Sequence, residues 1–411
     1  MNISQNIYKL ADQVSGTAID LPDIQVSRYA IEQVPDYVKE NTYKQTVLVA
    51  DENTKYAAGE KLQNLLTETG VDAKLVLLRP NRHGQVIADE QTIVQLLLET
   101  PPKTELLIAV GSGTIHDIVR FVGFKMNIPF LSVPTAASVD GFTSKGAPLI
   151  LRGEKRTIQT AFPIAVFADI TVLKAAPRQL TAAGFGDIIG KYTSLLDWEI
   201  SALVGGEPYN KLAADITRKS LVTCVENVEK IAAADEEGVR ILTEALIESG
   251  LVMLLLDFSR PASGAEHHLS HYWEMDLLKS DKPQIYHGAK VGAATAIVTE
   301  LYKRFASCYQ PAGDPGKGTI SDKIEKLYKN WSYIEKAIEA LPDPSSIIQL
   351  LRKVGGPGVP GELGIPERLV EQSLNEAYQL RDRWTGLRLI NMIKKEPLNY
   401  PLSEMCWPDE L

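Results

Sequence analysis

The sequence predicts an α/β domain over residues 1–176 and an all-α domain over residues 177–411. Three observations carry this. Short apolar runs alternate with helical periodicity in the first half, the periodicity is helical almost throughout after Pro177, and Gly and Pro clusters punctuate the helical half. Short runs that are mostly apolar, without strict alternation, belong to strands covered on both faces, the pattern of a parallel sheet between helical layers. Such runs fall at 46–50, 73–78, 105–110, 129–133 and 164–168, with helical patterns at about 55–68 and around 93–98. Beyond Ala182, apolar residues at three- and four-residue spacing mark helices at 184–204, 211–234, 238–258, 264–278, 288–305 and 320–341. Gly205-Gly206, 311–318 and 355–366 separate them.

Composition narrows the function classes. A chain of 411 residues has room for two or three domains. Its 45% hydrophobic and 23% charged residues exclude disorder and coiled coil. A net charge of −9 with no strongly basic stretch argues against a nucleic-acid surface. The three cysteines, Cys224, Cys308 and Cys406, are too few and too scattered for a disulfide framework or a Cys-rich metal site. The start of the sequence has no basic segment leading into an apolar core, and the longest purely apolar run, Leu251 to Leu256, is too short to span a bilayer. The expectation is a cytoplasmic protein without a membrane span.

Two loops at predicted strand ends suit a nucleotide. Gly111-Ser112-Gly113-Thr114-Ile115-His116-Asp117 follows the 105–110 strand and opens a helix. Glycines there let backbone N–H groups approach a pyrophosphate, whose charge the helix N-terminus favours. The same stretch also reads as a plain tight turn, and it follows the third predicted strand, whereas the usual dinucleotide fingerprint follows the first. Pro134-Thr135-Ala136-Ala137-Ser138-Val139-Asp140-Gly141 ends the 129–133 strand. Thr135 and Ser138 can hydrogen-bond a cofactor, and Asp140 a substrate hydroxyl. Asp51, at the end of the first predicted strand, can accept from a ribose or cap the next helix.

The histidines carry the strongest signal. His267 and His271 share a helix face at i, i+4, His287 opens the next helical pattern, and Asp187 sits early in the helical half. Two imidazoles and a carboxylate are a common N/O set for a catalytic divalent ion with open positions. His83 and His116 read as structural.

These pieces, in this order, resemble the superfamily of iron-containing alcohol dehydrogenases, glycerol dehydrogenases and dehydroquinate synthases. Within it they are most similar to the sn-glycerol-1-phosphate dehydrogenase family. The likeness rests on the two loops above, on Gly184-Phe-Gly-Asp-Ile-Ile-Gly-Lys191 continuing to Asp197-Trp198, on Arg260-Pro-Ala-Ser-Gly-Ala-Glu-His-His-Leu-Ser-His271, and on Tyr286-His-Gly288. It implies a dehydroquinate synthase-like fold whose N-terminal domain binds NAD(H), with NADP(H) as a possible substitute. The metal would be held by Asp187, His267 and His287, with His271 beside it as a proton relay. Zinc or nickel is the implied ion, with iron as a third choice. The implied reaction is reversible reduction of a phosphorylated triose, dihydroxyacetone phosphate, to sn-glycerol 1-phosphate by a homodimer. A polyol dehydrogenase is the nearest alternative. A dehydroquinate synthase-like cyclase is disfavoured, because Lys145, Lys191 and Arg260 are few cations for its substrate. Lys191, four residues after Asp187, and Arg260 are the cations expected to seat the substrate phosphate.

Overall fold

The computed structural model describes residues 4–15, 21–311 and 319–402. Cys406 and nearly all of the 311–318 punctuation lie outside them. The chain begins with α1 (Gln5–Ser15) and β1 (Asp23–Ser27), then α2 (Val34–Glu40) and β2 (Gln45–Ala50). The short α3 (Glu52–Thr54) and α4 (Glu60–Glu68), joined by one π-turn, lead to β3 (Asp72–Leu77). Next come α5 (Glu90–Glu99), β4 (Leu106–Gly111), α6 (Gly113–Met126) and β5 (Phe130–Pro134). A hairpin of β6 (Gly146–Leu151) and β7 (Glu154–Gln159) precedes β8 (Ala165–Asp169) and α7 (Ile170–Ala175).

Six strands form one parallel sheet in the order β1-β8-β5-β4-β2-β3. β4, β5 and β8 are buried at every residue, as continuous apolar runs require. The chain winds from β2 outward to β3 and then returns past it to β4. The carboxyl ends of β2 and β4 therefore adjoin where the winding reverses, the usual place for a ligand crevice. Register pairs Gly111 with Pro134, so the loops after β4 and β5 leave the sheet side by side.

The remainder is helical: α8 (Arg178–Ile189), α9 (Lys191–Ile200), α10 (Lys211–Glu226), α11 (Val228–Ala233) and α12 (Glu236–Leu256). Then come α13 (Ala265–Lys279), α14 (His287–Cys308), α15 (Thr319–Glu339), α16 (Pro344–Lys353), α17 (Glu367–Glu376) and α18 (Gly386–Ile393). The 184–204 stretch, expected as one helix, divides at Gly190, where any Cβ would press on Val291 at 2.8 Å. Among the described residues no helix is long and apolar enough to cross a membrane. The two halves share a core. Ile7, Leu10 and Val26 from the start of the chain pack with Leu195, Trp198, Val239 and Leu251 of the helical half. Ser4 Oγ donates to Glu248 at 2.7 Å, and Arg240 donates to the Val26 carbonyl at 3.1 Å.

α8 and α14 cross at very close range. Cβ atoms on Gly186 or Gly288 would overlap backbone of the opposite helix, and one on Gly184 would overlap the Ala137 carbonyl. The approach exists because these positions lack side chains. It sets Asp187 on α8 beside His287 at the start of α14.

Candidate active site

A cleft of about 530 Å³ opens at the carboxyl ends of the strands and continues between the sheet and helices α13 and α14. Its walls include Asp51, Ser112, Gly113, Thr114, Asp117, Ser138 and Asp140 from the first half, and His267, His271 and His287 from the second. Gly111 and Thr135 lie just behind the wall. The Thr135 N–H donates to the Gly111 carbonyl at 3.0 Å, tying the two loops together. Gly113 opens α6, and a Cβ there would lie 2.9 Å from Val139. The start of a fourteen-residue helix thus faces the cleft, a setting favourable to phosphate. The buried Ser138 hydroxyl has no hydrogen-bond partner among the described residues. Asp117 is paired to Arg120 at 3.2 Å, and burial raises its carboxyl to about 7. Asp51 caps α3 in a reciprocal box with Thr54 while lining the cleft, so both sequence readings of this residue coexist.

Asp187, His267 and His287 each offer a ligand atom, and these atoms lie within 4.8 Å of one another. Asp187 Oδ2 accepts the Asp140 N–H at 3.0 Å, whereas buried Oδ1 has no hydrogen-bond partner. His267 points Nε2 at that oxygen, 3.6 Å away, and turns Nδ1 to Glu266 at 2.7 Å. An orphaned carboxylate oxygen facing two imidazoles is what a divalent cation requires, so the donor set fits a metal. Glu266 is held by the Thr193 hydroxyl at 2.6 Å and the Gly264 N–H at 2.6 Å. Burial pushes the Asp187 carboxyl up, but Lys191 and the neighbouring imidazoles of His267 and His287 outweigh it and keep it ionised well below the usual range. Burial lowers His287 to about 3, favouring the neutral imidazole that a metal needs. His271 lines the cleft with its ring 5.7 Å from that of His287. Burial, then the charges of Lys155 and Arg381, hold it neutral.

Two expected phosphate ligands are placed differently. Lys191 is wholly buried, 2.7 Å from Asp140 Oδ2 and 3.7 Å from Asp187, and forms no part of the cleft wall. Lys191 lies near Asp187 across the break at Gly190, but it is turned into the protein, where it balances two carboxylates. Arg260 is locked to Glu207 and stacked on Phe258, also off the wall. The cations on the wall are Lys145, Lys155, Lys290 and Arg381, more than sequence reasoning counted. Lys155 lies on the hairpin and Arg381 near the chain's end, and no local pattern links either to the histidines. Glu266, adjacent to His267 and at the first turn of α13, was findable as the carboxylate that orients a ligand histidine. His116, read as structural, is buried between the Ser112 carbonyl and Ser132 Oγ, each at 2.8 Å.

Residues 25–177 match the family model described as iron-containing alcohol dehydrogenase. Solved structures share the fold at low identity. A 1,3-propanediol oxidoreductase aligns with a TM-score of 0.66 and 17% identity over 90% of this chain and 94% of that one. A probable glycerol dehydrogenase from Sinorhizobium meliloti 1021 gives 0.63 and 18% over 88% and 90%. Closer likeness comes from sequence. The glycerol-1-phosphate dehydrogenase (NAD(P)+) of Bacillus subtilis strain 168 is 46% identical over 94% of this chain and 95% of its own. Its namesakes in Geobacillus stearothermophilus and Methanosarcina barkeri strain Fusaro are 47% and 31% identical, over 91% and 89% of this chain and 93% and 90% of theirs. With identity at that level along nearly its whole length, this chain belongs to the glycerol-1-phosphate dehydrogenase (NAD(P)+) family, among the iron-containing alcohol dehydrogenases.

Proposed function

We propose that the protein reduces dihydroxyacetone phosphate to sn-glycerol 1-phosphate with NADH or NADPH, reversibly, at a metal held by Asp187, His267 and His287. One observation carries the reading: the three-residue donor set opens onto the same cleft as the glycine loop at the switch point of the sheet. The relatives' names point to the same chemistry.

When bound, the ion supplies a Lewis acid for a carbonyl oxygen, and the dinucleotide supplies the hydride. The chain's residues do the remaining work. Glu266 fixes the tautomer of His267 and leaves Nε2 free as a donor to a metal. Ser112, Gly113 and the start of α6 face a pyrophosphate, with Thr114, Ser138 and Asp117 beside them and Gly111 and Thr135 as their backing. Asp140 Oδ2 is occupied by Lys191 and Ser249, which leaves Oδ1 for a substrate hydroxyl. Neutral His271 is placed to move a proton between substrate oxygen and solvent. A division near 176/177 is supported by all six sheet strands preceding it and all three donors following it. Zinc, nickel and ferrous iron all suit the donor set. A homodimer in the cytoplasm completes the reading.

The test is NADH oxidation by metal-loaded protein with dihydroxyacetone phosphate, dihydroxyacetone and glyceraldehyde phosphate. The phosphorylated ketone is expected to be used with the highest kcat/KM. Equal turnover of free dihydroxyacetone with NADH, or of glycerol with NAD+ in the reverse direction, would establish a polyol dehydrogenase instead.

The dinucleotide preference follows from Asp51. A 2′-phosphate near its carboxylate meets a partly screened like charge, worth roughly 1 kcal/mol or about fivefold. NADH is expected to be preferred by that factor, and Asp51→Ser, which can still cap α3, is expected to weaken the preference. A wild-type protein that uses NADPH far better would remove Asp51 from the ribose.

A further inference from the structure

With Lys191 and Arg260 both engaged away from the cleft, the substrate phosphate needs another seat. Lys155, Lys290 and Arg381 stand on the part of the wall that also carries His271 and His287. Lys155 and Lys290 converge on one carboxylate, Glu274, at 2.8 and 2.9 Å. Three cations against that single carboxylate leave two positive charges. Asp117, another acid on the wall, is already matched by Arg120. Arg381 differs from the two lysines because its guanidinium has no carboxylate or carbonyl partner among the described residues. The backbone that carries it is nonetheless fixed. Arg383 donates to the Ser263 carbonyl, the Trp384 N–H to Glu207 at 2.9 Å, and the Gly386 N–H to Asp197 at 2.7 Å. On the hairpin side, the Lys155 N–H lies 3.2 Å from Met275 Sδ of α13.

A rigidly mounted, unpartnered guanidinium is the geometry for two-pronged binding of a tetrahedral oxyanion. The local surplus of two charges equals that of a phosphate monoester dianion. We propose that Arg381, with Lys155 and Lys290 held on Glu274, forms the seat for the phosphate of the substrate and so sets the preference for a phosphorylated ketone. The seat joins three distant parts of the chain: the hairpin inserted before β8, the start of α14 and the segment before α18. It rests on the dehydrogenase reading given above.

The experiment measures kcat/KM for dihydroxyacetone phosphate and for dihydroxyacetone in wild type, Arg381→Ala, Arg381→Lys, Lys155→Gln and Lys145→Ala. Loss of charge-assisted bonds from Arg381 is expected to shrink the preference for the phosphate ester about 100-fold in Arg381→Ala. Arg381→Lys should recover part of it, and Lys155→Gln should lose about tenfold. KM for NADH, and for NADPH with its own phosphate, should move far less than KM for the ketone phosphate. Inorganic phosphate, tested as a competitor of the ketone phosphate, should inhibit Arg381→Ala more weakly than wild type. If the Arg381 variants keep the wild-type preference, or if the loss falls on the dinucleotide, the seat is wrong while the reaction stands. Loss in Lys145→Ala alone would also overturn it, by moving the phosphate to Lys145. A wild type that never prefers the phosphate ester refutes the glycerol-1-phosphate reading itself. Should Arg381→Ala prove insoluble, the same comparisons in Arg381→Lys and Lys155→Gln decide the question.

Discussion

Asp187→Ala, His267→Ala and His287→Ala are each expected to abolish turnover, by on the order of 10³-fold or more, because each removes one of only three donors. The fold should survive. Without Asp187, buried Lys191 keeps its 2.7 Å pair with Asp140, and the His287 ring sits at the cleft rather than in the apolar core. His271→Ala should slow the reaction but keep the metal, since its ring is 6.0 Å from that of His267 and it stands outside the donor set. Elemental analysis of the four purified variants, beside circular dichroism, makes the check. Full metal in His287→Ala with loss in His271→Ala would show that the ion uses the other histidine.

Gly288→Ala is expected to cost about 3 kcal/mol or more of stability, the upper range for overpacking. The added Cβ would overlap the Ala183 carbonyl and come within 3.1 Å of the Asp187 N–H, both backbone of α8. Backbone cannot rotate aside as a side chain can, so the helices must separate. That separation moves His287 away from Asp187, and metal affinity should fall together with the melting temperature. Alanine ordinarily favours a helix over glycine by about 1 kcal/mol, so a loss here isolates the close approach. Gly361→Ala, where nothing lies within 4 Å of the added carbon, is the comparison. Equal melting temperatures and metal content in both variants would show that α8 and α14 have room to give.

How much of this the sequence disclosed follows from what each residue pattern measures. β2, β4, β5 and β8 are apolar on both faces, so hydrophobicity alone located them. β1 alternates exposed and buried residues at the sheet edge, and the β6–β7 hairpin is mostly half-exposed, so neither produced a continuous run. One strand was therefore missed before the glycine loop, which follows the fourth strand of the chain. The grouping of Asp187, His267 and His287 was legible because the chain has only six histidines and two of them stand in a telling order after Asp187. Cation roles were less legible. Helical spacing places Lys191 over Asp187 but does not say whether that face meets solvent or core. Arg381 lies more than a hundred residues beyond His271 in a segment with no periodic signal, and only the folded chain brings it to the cleft.

The shared core has a mechanical consequence. α1 and β1 belong by sequence to the half that carries the sheet, yet they are stitched to α10 and α12 through Glu248, Arg240 and a common apolar cluster. A swing of one half against the other would have to peel that cluster apart, at a large cost in exposed apolar surface. The back of the cleft is therefore a locked joint. At one side of the mouth, residues 79–89 and 281–286 meet through small polar links. Gln85 and the Gln284 backbone exchange two hydrogen bonds of 2.8 Å, and His83 meets Asp281 at 3.1 Å. These links can trade with water at little cost. On the reaction proposed above, the lip formed by residues 79–89 and 281–286 is therefore the part of the cleft that can give when a bulky dinucleotide enters or leaves, while the floor that carries Asp187, His267 and His287 stays still.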